Sequence, residues 1–214
     1  MIMIKAVIFD MDGVIIDSEP EYLKRLLAFL DAKKVSYDDD IYSIVGISNR
    51  ETWDYVSKLF NGCDPKELQD EYRVFVAERL RPISYIEILN SKLKDVINEL
   101  KNRDLKIALA SSSPIDHIKN VLKECEIDNL FDIVVTGEDF RRSKPDPAIY
   151  EYVVKELGFQ KDEYLVIEDS TYGITAAKAC GLKCLALRDD RFRFDQEKAD
   201  HKIASLEELL NYLD

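Results

Sequence analysis

Five short apolar runs, ending at Phe9, Ala110, Val135, Ile167 and Leu187, limit what this chain can fold into more than any other feature. Helical patterns over 114–125, 147–157 and 171–180 separate the last four runs, and Gly181 closes the third pattern. Strands alternating with helices predict an α/β fold: a doubly wound, Rossmann-like parallel sheet with helices on both faces. A final helix is expected over 205–213, where Ser205 and Glu208 have capping-box spacing.

The interval between the first run and the second breaks that rhythm. A crossover between parallel strands needs about a dozen residues, yet residues 17–85 carry helical patterns throughout. Tyr22, Leu23, Leu26, Leu27 and Leu30 recur at helical spacing, and further helices are expected over 50–60 and 65–80. The expected organisation is a core of residues 1–16 and 86–214 with an α-helical cap, 17–85, inserted into it. A helix over 86–102 would lead back to the sheet, and Asp38-Asp39-Asp40 reads as a solvated loop.

Reactive side chains stand where the strands end. Ile4 to Phe9 is followed at once by Asp10-Met11-Asp12-Gly13. Carboxylates at the end of a buried strand are costly to desolvate unless a cation or donors meet them, and open α/β sheets bind ligands beyond the carboxyl ends of their strands. Asp-x-Asp-Gly alone is also ordinary turn chemistry. A calcium loop is excluded, because its sixth position would be Ile15 rather than Gly. The run 105–110 leads into Ser111-Ser112-Ser113-Pro114, and the run 164–167 into Glu168-Asp169-Ser170. Between them, Pro145 biases Lys144 towards extended backbone, while Pro147 suits the first turn of a helix that Asp146 can cap. Singly these have local readings: Ser113 as an N-cap, Glu168-Asp169 as caps of the next helix. Jointly they place acids, a hydroxyl and a lysine on one rim of the sheet, which suits a metal, phosphoryl transfer or both.

Composition narrows the partners. A formal net charge of −12 over 214 residues argues against a nucleic-acid or anionic-membrane partner, and no apolar stretch reaches the length of a membrane span. The first strand begins too early for a signal peptide, so a cytoplasmic location is expected. Cys63, Cys125, Cys180 and Cys184 form no Cys-x-x-Cys pair, and the two histidines, His117 and His201, read as structural or exposed. Without a Cys/His or Ser/His/Asp set, any nucleophile must be a carboxylate.

Asp10-x-Asp12-Gly13-Val14, Ser111, Lys144-Pro145 and Glu168-Asp169 match, in order and approximate spacing, four motifs of the haloacid dehalogenase-like superfamily. The chain resembles its capped phosphatase/β-phosphoglucomutase branch over its whole length, cap included. That resemblance implies that Asp10 is the nucleophile and forms an aspartyl-phosphate. It implies Mg2+ on the side chains of Asp10 and Asp169 and on the backbone carbonyl of Asp12, with Glu168 in direct or water-mediated contact. The Asp12 carboxyl would serve as acid and then base. Ser111 and Lys144 would hold the phosphate oxygens, helped by amides near residue 114, and Gly13 would allow the tight bend between them.

The expected activity is therefore a Mg2+-dependent phosphohydrolase acting, as a monomer, on a small phosphorylated metabolite such as a sugar phosphate. Tyr22, Asn49, Arg50 and, further down the order, Arg73 are the candidate substrate contacts in the cap. Gly46-Ile47-Ser48-Asn49-Arg50 resembles a cap segment that places an arginine over a second phosphate in sugar-phosphate members. The alternative is a β-phosphoglucomutase, but this chain has Tyr22 where the mutases carry a histidine that interacts with the acid/base aspartate. A phospho-accepting regulatory domain is opposed by the long cap and by Asp12, which would hydrolyse a stored phosphoryl group. A catalytically dead binding module is opposed by the complete set of motif residues.

Overall fold

Alternation along the strands sets the architecture. In the computed structural model, which describes residues 3–192 and 194–213, the first strand is β1 (Ala6–Phe9). Val7 and Phe9 enter one apolar cluster, Ala6 and Ile8 another, and all four are buried. A strand covered on both faces has to be apolar at every position. β2 (Lys106–Ser111), β3 (Ile133–Thr136), β4 (Tyr164–Glu168), β5 (Lys183–Leu187) and β6 (His201–Ile203) complete one six-stranded parallel sheet in the order β3-β2-β1-β4-β5-β6. The expected α/β architecture is thus observed. The order reverses between β1 and β4, and ligands bind beyond the strand ends at such a switch point.

The chain divides into two compact units, residues 18–84 and residues 1–17 with 85–214. The first is helical: α1 (Glu19–Ala32), a 3-10 segment Asp39–Ile44, α2 (Asn49–Leu59) and α3 (Pro65–Arg79). Its interior gathers on buried Phe29, whose ring meets Phe60, Tyr72 and Phe75 at centroid distances of 6.0, 5.6 and 5.5 Å. Ser48 and Glu51 form a capping box at the start of α2, and Asp64 caps α3 ahead of Pro65. Asp38 is exposed, and its side chain also caps Asp40, starting the 3-10 segment.

The second unit holds the sheet. α4 (Leu93–Asn102), α5 (Ile115–Glu124) and a 3-10 segment Leu206–Tyr212 cover one face through residues such as Ile97, Leu100, Val121 and Leu209. α6 (Ala148–Leu157) and α7 (Thr171–Ala179) cover the other, over Ala6, Ala108, Ala110 and Ala186. Small strand residues let those two helices come close to the sheet. Each large side chain fully buried this way contributes about 1.5–3 kcal/mol.

Two expectations need correction, and one strand had no counterpart among them. The helix expected over 86–102 begins at Leu93, because the backbone before it bonds elsewhere: Ile88 O accepts from Asp17 N, Asn90 N donates to Ile15 O, and Leu89 bridges Ile16. The C-terminal segment is 3-10 rather than α; Ser205 makes no capping bond, although Glu208 accepts from Ala204 N at 3.3 Å. β6 was not anticipated, since only Ile203 of its three residues is buried and so short a strand leaves no pattern.

Candidate active site

β1 and β4 run with Phe9 beside Ile167, so Asp10 leaves the sheet next to Glu168, and Asp10 N donates to Ile167 O at 3.0 Å. β2 lies on the other side with Leu109 beside Phe9, which brings Ala110 and Ser111 to the same level. The chain then turns sharply. Met11 O accepts from the amides of Ile15 and Ile16, at 2.9 and 3.0 Å, and Gly13 adopts φ +82°. A Cβ at Gly13 would also collide with the Asp169 carboxylate, so two independent constraints require glycine there.

Lys144 reaches the same point from the segment before α6, through a cis Lys144–Pro145 peptide. Its buried ammonium donates to Asp10 Oδ1 at 2.6 Å, Glu168 Oε1 at 2.7 Å and Ala110 O at 2.9 Å. Glu168 is fully buried and heavily bonded. Tyr150 donates its hydroxyl to Oε1 at 2.6 Å, while Asp169 N and Ser170 Oγ approach Oε2 at 3.2 and 3.3 Å. A Cβ at Gly173, in the first turn of α7, would overlap that carboxylate. Gln196 donates its buried side-chain amide to Asp169 O at 2.6 Å and to Leu187 O at 2.9 Å.

Asp10, Glu168 and Asp169 can each offer an oxygen within 4.8 Å of the others, and all three are buried. Clustered hard carboxylate oxygens are the donor set that Mg2+ prefers, so these residues fit the ion. The electrostatics point the same way. Burial pushes the Asp10 carboxyl up to about 7 against the pull of Lys144, with Glu168 and Asp12 adding to the rise. Burial alone would lower Lys144, but Asp10 and Glu168 more than reverse this and hold it charged. Further positive charge beside Asp10 would keep it ionised at neutral pH.

Ser113 does not do what its position suggested. Pro114 occupies the cap position of α5, no side chain caps it, and Ser113 Oγ instead donates to Asp12 Oδ2 at 2.8 Å. The amides near residue 114 are also engaged: Ser113 N donates to the buried Ser111 Oγ at 3.0 Å and Ile115 N to Glu138 Oε2 at 3.0 Å. Asp146 does act on the next helix, accepting from Ala148 N at 3.1 Å.

The core motifs therefore converge: Asp10, Asp12, Ser111, Lys144, Glu168 and Asp169 share one strand-end cluster. The cap candidates belong to the helical unit. There, Tyr22 is half-buried, Asn49 Oδ1 accepts from Trp53 Nε1 at 3.2 Å, and Arg50 and Arg73 are exposed beside Asp54 and Asp70. The His117 ring meets Tyr85 edge-on at a centroid distance of 5.5 Å, and the His201 ring is tilted against Tyr212 at 4.7 Å. Tyr150, Gly173, Gln196 and the role of Ser113 escaped the sequence reading. Of these, Gly173 alone left a signal: a glycine inside a helix costs about 1 kcal/mol against alanine and asks for a reason.

Comparison with known proteins agrees with this geometry. A family model described as haloacid dehalogenase-like hydrolase matches residues 7–187. A phosphorylated carbohydrates phosphatase of Thermotoga maritima is 30% identical over 182 residues, 84% of this chain and 82% of the relative. Hexitol phosphatase B of Escherichia coli K12 is 28% identical over 216 residues, 96% and 94% of the two chains. Among solved structures, a putative β-phosphoglucomutase from Thermotoga maritima superposes with a TM-score of 0.70 at 28% identity, covering 98% of both chains. A predicted phosphoglycolate phosphatase from Haemophilus somnus 129pt reaches 0.80 at 21% identity over 99% and 98% of the two chains, a likeness of fold.

Proposed function

The chain belongs to the haloacid dehalogenase-like hydrolase family, and on that premise we propose that it is a Mg2+-dependent phosphohydrolase of a small phosphorylated metabolite, in the first place a sugar phosphate. The observation that carries this reading is the convergence on Asp10: an ammonium bonded to it, two further buried acids beside it, and a second aspartate two residues on. Relatives named for phosphorylated carbohydrates and hexitols support the substrate class.

In this reading Asp10 Oδ attacks phosphorus and the bond from phosphorus to the leaving oxygen breaks. That oxygen takes the proton of Asp12. Water then attacks the aspartyl-phosphate and gives its proton to Asp12, the phosphorus–Asp10 bond breaks, and inorganic phosphate leaves. Lys144 and Ser111 hold the non-bridging oxygens throughout. Two unit charges of like sign at 4 Å repel by about 4 kcal/mol at intermediate dielectric. Mg2+ on Asp10, Asp169, the Asp12 carbonyl and Glu168 would supply the positive charge that offsets this repulsion. Lys144, now tied to Asp10 and Glu168, would turn part of its bonding to the phosphate.

One second reading has an observation behind it. Likeness to the putative β-phosphoglucomutase over 98% of both chains favours phosphoryl transfer between sugar positions; Tyr22 in place of the mutase histidine opposes it. A panel of sugar phosphates and other phosphomonoesters, with β-glucose 1-phosphate plus glucose 1,6-bisphosphate as one arm, separates the two. Phosphate release identifies the hydrolase, and conversion without release identifies the mutase. Acid-quenched protein should carry phosphate on Asp10, and Asp10→Asn should lower turnover more than about a thousandfold. Turnover near wild type in that variant, or full activity after chelation, would sink the reading.

A further inference from the structure

Ser113 is tied at all three of its polar groups. Its amide donates to Ser111 Oγ at 3.0 Å, its carbonyl accepts from Thr136 Oγ1 at 2.8 Å, and its hydroxyl donates to Asp12 Oδ2 at 2.8 Å. Thr136 is itself buried at the end of β3 and accepts from Glu138 N at 3.2 Å. The Ser113 backbone is thus fixed from two strands, β2 and β3, before its side chain reaches Asp12. A serine that merely ended a strand would need no such frame. The bond also spans two elements far apart in sequence, so the local turn does not explain it.

An aspartate side chain has two free torsions, and proton transfer in the transition state requires its oxygen within hydrogen-bond reach of the reacting atom. Asp12 is half-buried, and the Ser113 hydroxyl, carried on a fixed backbone, is a donor aimed at one of its two carboxylate oxygens. A hydroxyl can donate to the carboxylate and, after rotating, accept from the carboxylic acid. The same contact can therefore hold Asp12 in both of the protonation states its proposed cycle requires.

We propose that Ser113 is a positioning residue that fixes the direction in which Asp12 delivers a proton to the leaving oxygen and later takes one from water. The proposal rests on the reading of Asp12 as acid and base. Ser113 then matters in proportion to how much proton help the leaving group needs. An alkoxide leaving from a sugar or glycerol phosphate needs much; p-nitrophenolate needs little.

The test is single-turnover rapid quench on the full chain with Mg2+, comparing Ser113→Ala with wild type. The substrates are p-nitrophenyl phosphate and an alkyl phosphate that the wild type hydrolyses. Phosphoryl transfer from the alkyl phosphate should slow by about tenfold or more, and from p-nitrophenyl phosphate by less than about threefold, as expected for loss of a hydrogen bond to a charged group. KM should stay within about twofold, and Ser113→Thr, which keeps the hydroxyl, should recover most of the loss. A raised KM with unchanged kcat would make Ser113 a substrate contact, and equal losses on both substrates would make it part of the scaffold. Either outcome, or no change, overturns the proposal. If Ser113→Ala does not fold, Ser113→Cys, near in size with a weak donor, enters the same comparison. Asp12→Asn runs alongside: if it shows no dependence on leaving group, the acid/base reading itself has failed. If it does and Ser113→Ala does not, only the present inference falls.

Discussion

A carboxyl that titrates at 3.8 in the open chain and is pushed up to about 7 in the fold makes protonation and stability interdependent. Between those values the folded Asp10 binds a proton that the unfolded one releases. The stabilising contribution is complete below about 4 and lost as pH rises through about 7, a few kcal/mol at most. Carboxyls displaced downwards behave oppositely. Asp132 and Asp200, where the upward push of burial is exceeded only by the lysine hydrogen bond, a backbone amide and the lysine charge taken together, contribute above the ordinary carboxylate range and lose that contribution only in acid. Their contributions fall below the window from pH 5 to 8, through which the Asp10 contribution is lost. Metal-free protein should therefore melt at lower temperature at pH 8 than at pH 5.5, and Asp10→Asn should flatten that slope and raise the metal-free midpoint at pH 8. A slope unchanged in the variant would mean that another group causes it. Asp12 gives a kinetic prediction at the same scale. Asp12→Ala should slow water activation more than attack on p-nitrophenyl phosphate, since general base help is typically worth about 10²–10⁴-fold. The variant should release a burst of one p-nitrophenolate per enzyme and accumulate phosphate on Asp10, and an alkyl phosphate should give no burst. Normal turnover of the alkyl phosphate would show that Asp12 is not the acid. The acids and Lys144 were legible jointly: each has a bland local reading, but acids recurring at strand ends together with a proline-flanked lysine have few. Ser113, Tyr150 and Gln196 were not, because a serine before proline, a helical tyrosine and a loop glutamine look alike whether or not they touch a carboxylate.

At the scale of elements, α7 shows how a helix can be built around a side chain it does not own. Its N-cap Ser170 accepts from Gly173 N at 3.0 Å, and Gly173 leaves the space that the Glu168 carboxylate occupies. Alanine there should favour the helix by about 1 kcal/mol on propensity, yet overpacking against a buried charge costs about 1–3 kcal/mol. Overpacking is the larger effect. Gly173→Ala should lower the metal-free melting point and shrink the rise that Mg2+ produces, read by calorimetry with and without the ion. A variant more stable than wild type with the full Mg2+ response would show that Glu168 has room to move. Period and length decided which elements could be read beforehand. The ends of the five expected strands and the bounds of α2, α3, α5, α6 and α7 fall within a residue or two of expectation, and α1 spans the helical spacing of Tyr22 to Leu30. The start of α4 was misjudged because the amides and carbonyls of 88–90 bond to the chain leaving Asp10, a long-range pairing that leaves no mark on local periodicity.

For the whole molecule, the interruption of the sheet by residues 18–84 leaves both apolar clusters of the sheet unit intact. The residues of those clusters, buried and partly buried, all come from 1–17 and 85–214. The chain also leaves and re-enters the sheet unit along paired backbone: Asp17 N donates to Ile88 O at 2.8 Å, and Ile16 bridges Leu89 in antiparallel sense. The two ends are therefore held side by side by bonds within that unit, and a short loop could join them with little closure entropy, which grows only slowly with loop length. Replacing residues 18–84 by a Gly/Ser linker should give a protein that still unfolds cooperatively, because no side chain of either cluster is removed. Its strand-end acids, Lys144 and Ser111 remain, so slow Mg2+-dependent hydrolysis of p-nitrophenyl phosphate should survive. What should disappear is discrimination: kcat/KM ratios across a panel of sugar phosphates should fall towards one another, as expected if the excised segment carries the substrate contacts and excludes water as a lid does. Differential denaturation and the substrate panel check the two halves separately. Loss of cooperative folding would show that the helical unit supports the sheet. Retention of the full-length preference would place the selecting residues in the sheet unit and remove Tyr22, Asn49 and Arg50 from the substrate site.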